Sequence, residues 1–150
     1  MCPAHCHFSL FTLFAIITEI NKNNALFSGS KLATVANVGV SGCAETAKEC
    51  ILKRNTNATI TIDFTPSVKN IETEVHGIIM NLPVPFPLPQ PDACKGSGLS
   101  CPLKAGEQVN YATSLPVLKS YPKVKVDIKW ELKSESGEDL VCIIIPAKIN

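Results

Sequence analysis

The side chains best equipped for chemistry in this 150-residue chain are seven cysteines and three histidines. "CPAHCH" sets His5 and His7 beside Cys2 and Cys6, donor types that suit a metal, but it lies in a segment that the mature protein should lose. His76 then stands alone, so a Ser-His-Asp or Cys-His arrangement has only one histidine to be built around. Its neighbours Val75 and Gly77 face the other side of an alternating strand, which marks His76 as an ordinary edge or surface histidine. Glu72, Glu74, Asp127 and Glu131 occupy outward strand positions and read as solvated. There is no glycine-rich phosphate loop. The residues point to a protein that is not an enzyme and needs no cofactor and no metal.

The cysteines speak for a compartment instead. Cys43 and Cys50 bracket "AETAKE", and Cys94 and Cys101 bracket "KGSGLS"; each spacing closes a short loop, as in oxidised secreted domains. Neither is the Cys-x-x-Cys spacing of a zinc ribbon or a thioredoxin-type site. Asn57-Ala58-Thr59 is a glycosylation sequon, in agreement with secretion. "FSLFTLFAII", Phe8 to Ile17, has the length of a signal-peptide core, although the preceding "MCPAHCH" lacks Lys and Arg. Residues 1–25 are therefore expected to be an atypical signal segment, and 26–150 one extracellular or lumenal domain. With 14 basic and 13 acidic residues the net charge is +1, which argues against a nucleic-acid partner.

The elements that must position any site have a period of two. In "KVKVDIKWEL", Val124, Val126, Ile128, Trp130 and Leu132 share one face, and charged residues share the other. "ATITIDF" repeats the pattern with Ile60, Ile62 and Phe64 inward. "KLATVANVGV", "TEVHGIIM", "EQVNYAT" and "LVCIIIPAKI" are further strands, separated by turn signals such as "SESGED". Roughly six or seven short strands without a helix predict an all-β sandwich.

"LPVPFPLPQPDAC", Leu82 to Cys94, departs from that regularity with five prolines. Proline removes a backbone donor and fixes φ, so the run must be a stiff, extended edge or loop. Yet Val84, Phe86 and Leu88 recur at every second position, unlike a solvated linker. "LPVLKSYP", Leu115 to Pro122, is a second proline-bearing apolar segment. Rigid segments along the sheet margins can hold two sheets apart, leaving an apolar pocket where a simple sandwich would fill the gap.

"VHGIIM", the proline run, "CPL", "YATSLPVLKSYP", the strand that carries Trp130 and the late Cys142 before "IP" together resemble the Niemann-Pick type C2 proteins. These belong to the MD-2-related lipid-recognition (ML) family, and the likeness, to an arthropod member, runs from Gly29 to Ile149. It implies an immunoglobulin-like two-sheet β-sandwich with an apolar cavity between the sheets. The function implied is a secreted or lysosomal carrier that binds a sterol, fatty acid or other apolar compound. It would act as a monomer and hand its lipid to a membrane surface or a sterol-transporter membrane protein. An alternative is an immune or chemosensory recognition protein in which lipid binding is secondary.

By motif, the resemblance places Val84, Phe86, Tyr111, Leu115, Pro116, Val117 and Tyr121 in the pocket lining. Val124, Val126, Ile128 and Trp130 form its wall, and Ile143 stands where sterol-carrying relatives often place an aromatic. His76, Gly77, Ile78 and Lys95 correspond to a region linked to docking. Cys43–Cys50 and Cys94–Cys101 match family disulfides. The family's third cysteine pair joins the counterpart of Cys142 to a cysteine in "DCGS", where this chain has Ser28 in "FSGSK". Cys142 is therefore expected to be unpaired unless Cys2 or Cys6 supplies its bond.

Overall fold

The computed structural model describes residues 19–20, 26–28, 30, 32–43 and 47–150, the first two groups by their backbone alone. The expected signal segment, with His5, His7, Cys2 and Cys6, lies outside the described residues except for Glu19–Ile20. Among the described residues ten strands follow in order: β1 (Glu19–Ile20), β2 (Leu26–Ser28), β3 (Ala33–Val40), β4 (Cys50–Leu52) and β5 (Thr56–Pro66). β6 (Ile71–Ile79), β7 (Leu82–Pro85), β8 (Val109–Val117), β9 (Lys125–Ser134) and β10 (Asp139–Ile149) complete the chain. No helix occurs among the described residues.

The strands form two sheets. The larger has the order β1-β2-β10-β9-β6-β7, with β4 pairing parallel to the far half of β10; the smaller is β3-β5-β8. Alternation dictates which side chains meet between them. Ile60, Ile62 and Phe64 of β5 are buried, as are Val126, Trp130 and Leu132 of β9 and Ile143, Ile145 and Ala147 of β10. Two packed sheets that bury alternate residues make the expected sandwich.

The proline run becomes the outer strand of the larger sheet. Leu82 to Pro85 pair with Ile79 to His76 of β6, and an edge tolerates the missing donors of Pro83 and Pro85. Pairing continues through Phe86, whose N–H donates to Val75 O (2.9 Å). It returns only where Thr73 N donates to Pro91 O (2.8 Å) and Ala93 N to Ile71 O (3.0 Å). Between these points Pro87 and Pro89 have no N–H to offer, and the chain leaves the ladder. The second proline-bearing segment divides differently from the sequence reading. Leu115, Pro116 and Val117 belong to β8, where Pro116 sits on an edge strand opposite Asn57.

Both short cysteine loops are closed by disulfides, Cys43–Cys50 and Cys94–Cys101. The first ties the end of β3 in the smaller sheet to the start of β4 in the larger one. The second closes a loop that touches both sheets at the opposite margin, since Ser97 O accepts from Ala112 N (2.9 Å) and Ala93 is bonded to β6. Cys142 is disulfide-bonded too, so of the two expected alternatives the unpaired thiol does not hold. Ser28 is its Cα partner across the β2–β10 ladder, so register places this serine at the cysteine as the motif implied.

A second correction concerns Glu131. Its strand parity is outward as predicted, but only 1% of it is exposed. Lys129 on the same face reaches its carboxylate at 2.9 Å and Lys133 at 3.6 Å. Burial pushes the Glu131 carboxyl up, and a hydrogen bond with the Asp139 side chain plus the two ammonium groups outweigh it, holding the group below its ordinary value. Glu72, Glu74 and Asp127 are exposed as read.

Candidate functional site

The inward faces of the two sheets bury their side chains at one end, whereas several apolar side chains stay exposed at the other. At the buried end Tyr111 of β8 is 1% exposed and meets Trp130 of β9 edge-on, with ring centroids 6.4 Å apart. Thr73 of β6 shares a 3.0 Å hydrogen bond with the Tyr111 hydroxyl, so a polar contact crosses from one sheet to the other inside an apolar interior. A buried phenol needs such a partner. Burial raises the Tyr111 pKa despite that bond, which keeps the group neutral. Phe64, Leu132 and Ile143 are each fully buried.

The more exposed end is framed by the proline strand and the turn after β8. Phe86 and Tyr121 meet edge-on at 5.4 Å. The turn that carries Tyr121 is fixed by its own backbone, with Tyr121 N donating to Leu118 O (3.1 Å). Arg54 clamps it from outside, its Nη1 donating to Lys119 O at 3.1 Å and Tyr121 O at 3.4 Å. Val84 pairs with Gly77, which faces inward, so Val84 stands on the inner side of its strand; it is nevertheless 48% exposed. Leu82 at 67% and Leu118 at 46% add exposed apolar surface on the same two segments. Gly77 keeps the wall thin here: a Cβ on it would meet Val126 Cγ2 at 3.2 Å.

The structure thus brings together most of the residues singled out for the pocket. Phe86, Leu115, Val117, Val126, Ile128 and Tyr121 belong to one apolar cluster with Tyr111, Trp130 and Ile143. Leu115 and Val117 are buried, whereas Pro116 alternates to the outer face beside Asn57. Val124 lies just before β9 and is half-buried. The four docking residues do not share one face. His76 and Ile78 alternate outward on β6, Gly77 is buried and faces inward, and Lys95 lies beside β8. No cluster that could hold a metal occurs among the described residues, and "CPAHCH" lies outside them.

Thr73, Arg54 and Leu118 were missed by the sequence reading. Thr73 had a signal, since it shares the parity of Val75 in "TEV". Nothing local marks Arg54, whose role depends on a turn 65 residues away.

Comparison with known proteins agrees with this architecture. The ML domain family profile matches residues 28–149. An ecdysteroid-regulated 16 kDa protein of Manduca sexta is 68% identical over 124 residues, covering 81% of this chain and 85% of that protein. The NPC intracellular cholesterol transporter 2 homolog a of Drosophila melanogaster is 49% identical over 124 residues, covering 81% of this chain and 84% of its own. The crystal structure of a Niemann-Pick type C2 protein from the Japanese carpenter ant superposes with a TM-score of 0.76 at 35% identity, covering 81% of this chain and 96% of that one. This chain belongs to the ML-domain family, among the Niemann-Pick type C2 proteins.

Proposed function

We propose that the protein is a carrier that takes a sterol or another apolar lipid into the gap between its sheets and releases it at the Val84–Tyr121 end. Its family is one of lipid-binding proteins without catalysis, and its disulfides suit an extracellular or lumenal compartment. The observation that carries the proposal is the exposed apolar end. A stiff proline edge, an aromatic pair and an inward Val84 leave hydrocarbon exposed beside an apolar interior. The relative named as a cholesterol transporter makes sterol the first ligand to test. Release to a membrane or an acceptor protein is supported by Met80, 90% exposed, and Leu82, which project beside that end. His76 and Ile78 on the neighbouring outer face are the residues we assign to that contact.

Native mass spectrometry of the protein purified from a secreting host tests the reading directly. One co-purified apolar lipid per chain is the expected result. A chain that arrives empty and also fails to bind a fluorescent sterol or fatty acid overturns it.

A further inference from the structure

A concavity lies on the outer face of the smaller sheet, outside the interior between the sheets. It encloses about 300 Å³ and is walled by Thr59, Ser114, Leu88, Pro89, Gln90 and Lys95. Its strand walls come from the outer face of the smaller sheet: Thr59 and Ser114 are cross-strand partners there, and their hydroxyls are 2.7 Å apart. Its far wall is the stretch of the proline run that leaves β6, together with the loop closed by Cys94–Cys101. The same missing donors that break the ladder therefore push Leu88 to Gln90 out over β8.

We propose that this cleft seats the first sugars of an N-linked glycan carried by Asn57. The inference rests on passage of the chain through an oxidising secretory compartment, the setting its disulfides suit. Thr59 has a double position: it completes the Asn57-Ala58-Thr59 sequon and lines the cleft. Asn57 is exposed and shares the outward face of β5 with Thr59. Two residues along a strand separate them by ~6.8 Å, about one pyranose ring. Across the ladder, Asn57 faces Pro116 and Thr59 faces Ser114, so the attachment point stands one step outside the cleft wall.

The lining chemistry fits a saccharide better than a lipid tail. Two hydroxyls, the Gln90 amide and the Lys95 ammonium supply donors and acceptors for sugar hydroxyls and an acetamido group. Leu88 and Pro89 offer an apolar surface to the C–H face of a ring. The volume lies at the low end for ligand pockets, which suits one or two rings. Tethering at Asn57 makes their binding intramolecular, so weak individual contacts suffice.

The test uses full-length protein secreted from cells whose glycans stay oligomannose. Mass spectrometry should find Asn57 occupied, and endoglycosidase H should release the glycan about tenfold more slowly from native than from denatured protein, because the sugars must leave the cleft first. Ser114→Tyr fills the cleft from an exposed position and should bring the native rate close to the denatured one, with occupancy unchanged. Gln90→Ala should move the rate in the same direction and guards against misfolding of the first variant. An unmodified Asn57 in secreted protein overturns the proposal, as do equal native and denatured rates. Co-purified lipid measured on the same sample reports on the carrier reading separately, since neither variant touches the gap between the sheets.

Discussion

The two ends of the inter-sheet interior are built on opposite terms. At the Thr73–Tyr111–Trp130 end the aromatic rings are buried and the phenol is hydrogen-bonded to the facing sheet. At the Phe86–Tyr121 end the aromatic pair is only half-buried, and Val84, Leu82 and Leu118 remain in contact with water. A wholly apolar sandwich would close along its full length, because an unfilled gap forfeits dispersion contacts. This one is pinned by a cross-sheet hydrogen bond where it is closed. At the other end it is bordered by an edge strand whose prolines cannot rearrange cheaply. Stability should reside at the first end and ligand affinity at the second.

The largest expected effect comes from breaking the buried end. Tyr111→Ala removes a fully buried ring and leaves Thr73 unpartnered, at a cost of about 3–5 kcal/mol, read as a fall in denaturation midpoint. Cys142→Ser, in the strand position next to the buried Ile143, loses a disulfide and should cost about 2–5 kcal/mol by the same measurement. Stability close to wild type in both variants would break the comparison outright.

The exposed end should respond in the other coordinate. Phe86→Ala is expected to weaken fluorescent sterol or fatty-acid binding by roughly tenfold, ~1.4 kcal/mol, with a much smaller change in melting temperature. A large stability loss without an affinity change would mean that Phe86 packs a filled core. Thr73→Val sharpens the other side: it removes the cross-sheet hydrogen bond while nearly keeping side-chain shape. It should lower stability by about 1–3 kcal/mol, largely the penalty for leaving the Tyr111 hydroxyl buried without its partner.

The smallest effect concerns pH and lies outside the gap, on the outer face of β9. Because the folded Glu131 carboxyl is held below its ordinary value, it contributes stability above the unfolded carboxylate range. That contribution is lost as pH falls through the lowered folded value. Melting temperature should therefore drop on acidification below about pH 4.3, and Glu131→Gln should make the drop shallower. Glu74 and His76 on β6, Lys129 and Lys133 on β9 and Asp139 on β10 share this surroundings and are left in place. An unchanged acid profile in Glu131→Gln would assign the drop to those neighbours.

The alternation in "KVKVDIKWEL" and "ATITIDF" determined the two inner faces from sequence alone, because a pleated strand sends successive side chains to opposite sides. Proline chemistry likewise determined that Leu82 to Cys94 has to be an edge or a loop, since no partner can bond to an absent N–H, and the run divides into an edge strand at Leu82–Pro85 and a loop beyond it. Short cysteine spacing foretold two of the bridges. Tertiary structure decided the rest. Outward parity made Glu131 look solvated, but lysines two residues away and Asp139 across the hairpin enclose it, a fact of register between strands. Arg54 acquires its role only when β8 returns beside it, and Thr59 becomes a wall of a cleft only when the proline run arches over β8. Local pattern fixes which way a side chain points, whereas what it meets depends on chain segments far away in sequence.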